Sequence, residues 1–242
     1  MRVVPSVISL AAATAGVTTI IRASTHSRAT LWGPVVWRGP ADPGCNKVAI
    51  TFDDGPTPGS TDAVLEALEK LNVKATFFVI GRHVEQYPEL LKKVHDTGHL
   101  IANHTFDHPH YGFLCGRNFW KNQIEKTNSA IEKIIGHRPT FFRSPMGVRT
   151  WRTTGAARDA GLTFITWTRR ALDGLPATAE HICDRLIPTA AAGDILLLHD
   201  GIENGAKRNP QATVEAIPRI VAALRQRGLE PVRLDELLAT KP

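Results

Sequence analysis

Val48-Ala49-Ile50-Thr51-Phe52-Asp53-Asp54-Gly55-Pro56 is an apolar run of strand length that ends on two adjacent carboxylates and a Gly-Pro turn. The run reads as a buried strand, so the carboxylates fall at its C-terminal end, the edge at which α/β folds bind their ligands. Neighbouring carboxylates repel each other and lose hydration on burial unless a cation or a proton separates their roles. An Asp-Asp-Gly turn that merely reverses the chain has the same local sequence. The remainder of the chain decides between the two.

Outward from this strand, Thr61 to Leu71 has helical apolar spacing, and Ala75 to Ile80 is a second continuous β-rich run. The alternation continues with helix Pro88–Val94, strand His99–Ala102, helix Asn118–Ile135, strand Thr140–Phe142, helix Thr153–Ala160 and strand Leu162–Trp167. It closes with helix Ala179–Ile187, strand Ile195–Leu198, helix Gln211–Gln226 and a short final strand. Strands apolar throughout, alternating with helices, indicate a parallel sheet covered on both faces. Seven or so such units in about 200 residues suit a barrel, with active-site loops on the rim that follows the strands.

The 242 residues are 43% hydrophobic, as expected of one globular catalytic-sized domain. The net charge of +6 is concentrated at the N-terminus, where Arg2, Arg22, Arg28 and Arg38 precede the first acid, Asp42. The remainder is nearly neutral, with no basic run interleaved with aromatics, which argues against nucleic acid. Cys45, Cys115 and Cys183 are widely spaced and form no CxxC pair, so unpaired, mostly buried thiols are expected. Residues 3–21 carry no charge, approach the length of a membrane span, and contain Ala13-Thr14-Ala15, a small-x-small cleavage pattern. Residues 1–22 are therefore expected to be a signal peptide or membrane anchor, 23–44 a linker, and 45–240 the catalytic domain of an exported or anchored monomer.

Asn103-His104-Thr105-Phe106-Asp107-His108 directly follows a strand. On one helical turn, two histidines four apart face the same way and can reach one metal. With an Asp from the first strand end they form a His-His-carboxylate set that leaves a position open for water. Arg143, after strand Thr140–Phe142, can hold an ionised Asp through a bidentate pair. His199 ends the apolar run Leu196–Leu198, as a general acid would, and Asp173 is placed to orient it.

These residues resemble the polysaccharide deacetylases, the NodB-homology group of carbohydrate esterase family 4. The shared elements are Thr51–Pro56 (TFDDGP), His104–His108, Arg143–Pro145 and Leu196–His199, in the family's order. The resemblance implies a distorted (β/α)7 barrel, with its active site at the C-terminal strand ends, that removes N-acetyl groups from amino-sugar glycans. It implies Asp54, His104 and His108 as ligands of Zn²⁺, with Co²⁺ or Ni²⁺ also accepted. Asp53 matches the general base paired with Arg143, and His199 the general acid tuned by Asp173. The Met146 amide matches an oxyanion donor, and Pro145, Trp167 and Leu197 are expected on the substrate side. Two departures concern the substrate walls: Met146 stands where the family often has Tyr, and Arg170-Ala171-Leu172-Asp173-Gly174 where it has D-x-x-D-W. An O-acetyl esterase, another metal-dependent amidohydrolase and a glycan-binding homologue are the alternatives on the same rim.

Overall fold

The computed structural model describes residues 7–40, 44–201 and 208–239. Residues 1–6 of the expected signal or anchor segment and 41–43 of the expected linker lie outside it.

The strands are β1 (Lys47–Asp53), β2 (Thr76–Val79), β3 (Leu100–Asn103), β4 (Phe141–Phe142), β5 (Thr163–Phe164), β6 (Arg169–Arg170), β7 (Ile195–His199) and β8 (Glu230–Val232). The described helices are α1 (Val7–Thr25), α2 (Ser60–Lys70), α3 (Gly81–Gln86), α4 (Pro88–Asp96), α5 (Arg117–Ile135), α6 (Trp151–Asp159), α7 (Ala179–Leu186), α8 (Pro210–Gln226) and α9 (Leu234–Leu238). The sheet runs β5-β4-β3-β2-β1-β7-β6 and is parallel throughout, with β8 added beside β1. It curls into a distorted, incompletely closed barrel, as expected.

Side-chain parity within the strands sets what faces inward. Because successive residues of a strand point to opposite faces, Val48, Ile50 and Phe52 of β1 join the cluster under the helices, while Ala49 joins the inner one. The same split sends Leu196 and Leu198 of β7 outward, and Ile195 and Leu197 inward. Asp53 and His199 continue the inward series at the strand ends.

The expected strand Leu162–Trp167 is instead divided. Thr163 and Phe164 pair with β4, whereas Arg169 and Arg170, a few residues later, pair with β7 on the far side of the sheet. This segment therefore crosses the barrel's seam. The seam is filled from the N-terminal side: Val36 bridges Ile165, its N–H donating to Phe164 O at 2.9 Å and its carbonyl accepting from Thr166 N at 2.8 Å. Residues of the stretch expected as a linker lie packed against the body. Arg149, 1% exposed, donates to the carbonyls of His26 at 2.5 Å and Ala29 at 2.9 Å, and Thr166 Oγ1 donates to Ser27 O at 2.7 Å.

No helix among the described residues is long and apolar enough to cross a membrane. The three cysteines are free; Cys183 is buried, but Cys45 and Cys115 are only half-buried, short of the burial expected.

Candidate active site

Five strand ends deliver polar groups to one mouth of the barrel. Asp53, Asp54, His104, His108, Met146, Trp167, Leu197 and His199 line a single cavity of about 390 Å³. Arg143 and Asp173 stand behind its wall, both almost fully buried. Pro145 is buried beneath the turn and is not part of the cavity lining, contrary to expectation. Its fixed φ starts the tight turn that carries Met146, and this uses up its own surface.

Asp54, His104 and His108 present ligand atoms that all lie within 4.8 Å of one another. The two histidines do not share a helical turn, as their spacing suggests. Residues after β3 form a loop in which Thr105 (φ 69°) and His108 (φ 51°) adopt left-handed backbone, and this reversal swings the rings together, 5.0 Å between centroids. Asp54 is also left-handed, at φ 78°. Among the described residues six non-glycine residues have positive φ; Asp54, Thr105, His108, Met146 and Leu172 are in the site's loops and Asn72 is remote. Such conformations cost on the order of 1–3 kcal/mol each and persist where surrounding structure enforces them.

His104 Nδ1 donates to the Arg143 carbonyl at 2.8 Å, which fixes the ring tautomer and leaves Nε2 facing the carboxylates. That Nε2 lies 3.4 Å from Asp54 Oδ1 and 3.7 Å from Asp53 Oδ2, and His108 Nε2 is 3.4 Å from the same Asp54 oxygen. Asp54 Oδ1 is buried without a hydrogen-bond partner. A buried carboxylate oxygen left orphaned beside two imidazoles is the arrangement a divalent cation satisfies, so the donor set fits a metal. Burial opposes ionisation of Asp54, but the close contact with His104 and the charges of the surrounding imidazoles outweigh it and hold the carboxyl well below its usual range. Burial likewise opposes protonation of His104, and the Asp53 and Asp54 charges raise it nonetheless.

Asp53 is held differently. Arg143, fully buried, donates through Nη1 to Asp53 Oδ1 at 2.6 Å and to Thr51 Oγ1 at 3.0 Å, and through Nη2 to Thr166 O at 3.2 Å. The expected bidentate pair is thus a single bond, because Thr51 and the Thr166 carbonyl occupy the other donors. Asp53 Oδ2 is left unclaimed by the guanidinium, on the His104 side. The Arg143 plane also covers the Phe78 ring, 3.9 Å from its centroid.

His199 is 20% exposed at its side chain and contacts Asp173 twice: Nδ1 at 2.8 Å from Oδ1, and its backbone N–H to Oδ2 at 3.0 Å. Burial would lower its pKa, but the Asp173 charge and hydrogen bond raise it to about 9. Asp173 Oδ2 also accepts from Thr213 Oγ1 at 2.9 Å, and Arg208, 2% exposed, stands 3.9 Å away. Arg208 and Thr213 have no motif in the sequence and were not expected. His110, Gly147, Arg170, Leu172, Gly174 and Leu175 line the cavity as well. The His108-Pro109-His110 run carried a signal for the first of these; the others depend on how the loop around Asp173 folds. Gly147 (φ 68°) is packed so closely under Trp167 that an added Cβ would lie 2.4 Å from the indole, which sets Trp167 as a wall.

Residues 41–165 match the family model described as polysaccharide deacetylase. The chain is 34% identical over 191 residues to a chitooligosaccharide deacetylase of Sinorhizobium fredii, covering 76% of this chain and 88% of that one. The crystal structure of the Bc1960 peptidoglycan N-acetylglucosamine deacetylase superposes with a TM-score of 0.77 at 29% identity, covering 85% of this chain and 92% of that chain. A family 4 acetyl xylan esterase from Clostridium thermocellum, solved with a cobalt ion, superposes with a TM-score of 0.71 at 34% identity over 79% and 89% of the two chains.

Proposed function

The chain belongs to the polysaccharide deacetylase family, and from that membership we propose that it hydrolyses the N-acetyl group of an acetylated amino-sugar glycan, with Asp53 as general base and His199 as general acid. The observation that carries this assignment is the Asp54–His104–His108 cluster, set beside Asp53 and across the strand register from His199.

Asp54, His104 and His108 would hold a divalent ion, zinc by the preference of a two-imidazole, one-carboxylate set and cobalt or nickel as substitutes; bound there, it supplies carbonyl polarisation and acidified water. Asp53 takes the proton of the attacking water on Oδ2, while Arg143 holds Oδ1 and orients the carboxylate. The oxyanion is met by the Met146 amide, a donor of a kind worth about 3–4 kcal/mol elsewhere. His199, protonated through neutral pH by Asp173, gives its proton to the departing amine, which is too basic to leave unprotonated. Trp167 and Leu197 close the site around the acetyl group and exclude bulk water.

A glycan-binding module would need neither Asp53 nor His199, so their presence together with the ligand set favours catalysis. The likeness to an acetyl xylan esterase keeps O-acetyl esters in view. The testing experiment is an acetate-release screen over N- and O-acetylated glycans, on chelated enzyme and with zinc, cobalt or nickel restored. Release from N-acetylglucosamine oligomers or peptidoglycan only with metal present is expected; release from O-acetyl xylan alone would overturn the amide assignment. Action on such polymers would be at the cell envelope or outside it, and residues 3–21 are proposed as the exporting or anchoring segment.

A further inference from the structure

The charges of the cavity are almost all answered from within. Asp53 has Arg143, Asp54 has His104 and His108, and Asp173 has His199 and Arg208. Arg170 is the exception. In β6 it sits in register with Leu197, whose side chain faces the barrel interior, and both line the same cavity. Its neighbour Arg169 belongs to the other face and is consumed there, with Nε on Asp194 Oδ2 at 2.6 Å and a further bond to Thr189. Among the described residues no carboxylate lies within 4 Å of the Arg170 guanidinium, and the residue is exposed. Apolar side chains share the cavity with it: Leu175 is 62% and Met146 50% exposed, and Leu172 lines it as well.

A guanidinium without a carboxylate partner among the described residues presents a fixed fork of donors at the cavity, which matches a planar carboxylate better than any neutral sugar hydroxyl. We infer that Arg170 is a specificity residue for an anionic substrate: an acetylated glycan whose reacting sugar or its neighbour carries a carboxylate, as a lactyl ether or as a uronate. This rests on the deacetylase assignment for the site and adds the substrate's charge to it. Leu175 and Met146 would then lie against sugar ring faces while Arg170 takes the acid.

Calorimetric binding to the full chain tests it without turnover. The ligands are two pairs: a lactyl-bearing glycan tetrasaccharide and its methyl ester, and an acetamido-sugar oligomer alternating with uronate and its methyl ester. The wild-type protein is expected to prefer the acid of at least one pair by about tenfold, a gap typical of one charge-assisted contact. Arg170→Gln is expected to bring that ratio close to one, and Arg170→Lys to retain part of it. The pair that shows the preference identifies the source of the carboxylate. Equal binding of acid and ester in both pairs, or a preference that survives Arg170→Gln, overturns the inference. Acetate release from the same ligands is scored separately: none from any of them, with the acid preference intact, removes the deacetylase assignment and leaves Arg170's role standing.

Discussion

Asp53 and His199 are register partners at the ends of the adjacent parallel strands β1 and β7. Adjacent strands lie about 4.8 Å apart, so the two side chains rise side by side from one edge of the sheet. Both are on the inward parity of their strands, and each is oriented by a different partner, Arg143 for Asp53 and Asp173 for His199. Base and acid are thus oriented by separate supports.

Asp53→Asn is expected to lower acetate release by about 10²–10⁴-fold, the range of a lost general base, with metal content unchanged. His104→Ala should lose both. Metal analysis beside the activity assay checks this, and a fully active, metal-loaded Asp53→Asn enzyme would falsify the base assignment.

The pH profile should fall on its alkaline side near 9, where His199 loses its proton. Asp173→Asn removes the charge that overcomes burial, so this limb is expected to move to lower pH. The same pair affects stability: a histidine with a raised folded pKa stabilises fully below its unfolded value, about 6.5, and loses that contribution as pH rises through 9. Denaturant titration of wild type and Asp173→Asn from pH 6 to 10 should converge at the alkaline end.

Arg143→Met leaves Asp53 buried without its cation. Breaking a buried pair from one side costs about 3–5 kcal/mol, so a large drop in unfolding free energy should accompany the loss of activity. The double variant Arg143→Met with Asp53→Asn should recover part of the stability and none of the activity. Recovery of neither would show that Arg143 acts through Thr51 and the Thr166 carbonyl instead.

Arg149→Ala should release the N-terminal arm. It removes two charge-assisted bonds to the His26 and Ala29 carbonyls at a nearly fully buried site. A loss of about 3 kcal/mol and faster proteolysis within residues 23–40 are expected, measured by denaturant unfolding and limited digestion.

Most of the elements were legible because each carries a local signal. The helices from Ser60 and Arg117 and the β1, β2 and β7 runs fall within a residue or two of their sequence boundaries. The segment Leu162–Trp167 was legible as extended but not as divided, because crossing the seam leaves no trace in hydrophobicity. His104 and His108 were legible as a pair, but the loop that joins them was not. Left-handed φ at Thr105 and His108 is enforced by surrounding contacts, not by residue type, since neither Thr nor His announces it as Gly would.

By itself the sequence determined the alternation of buried strands with helices and the identity of the polar residue at each strand end. Both follow from neighbours in the chain, since burial repeats with the period of the element and a strand's end is marked by the turn after it. The tertiary structure alone decided parity, since runs apolar on both faces conceal which residues point inward. It also decided the supports: one Arg143 bond to Asp53, Arg208 and Thr213 on Asp173, and Arg149 on the arm. Those contacts join residues remote in the chain, and burying them in a common interior, where a charge must find a partner, is what selects them.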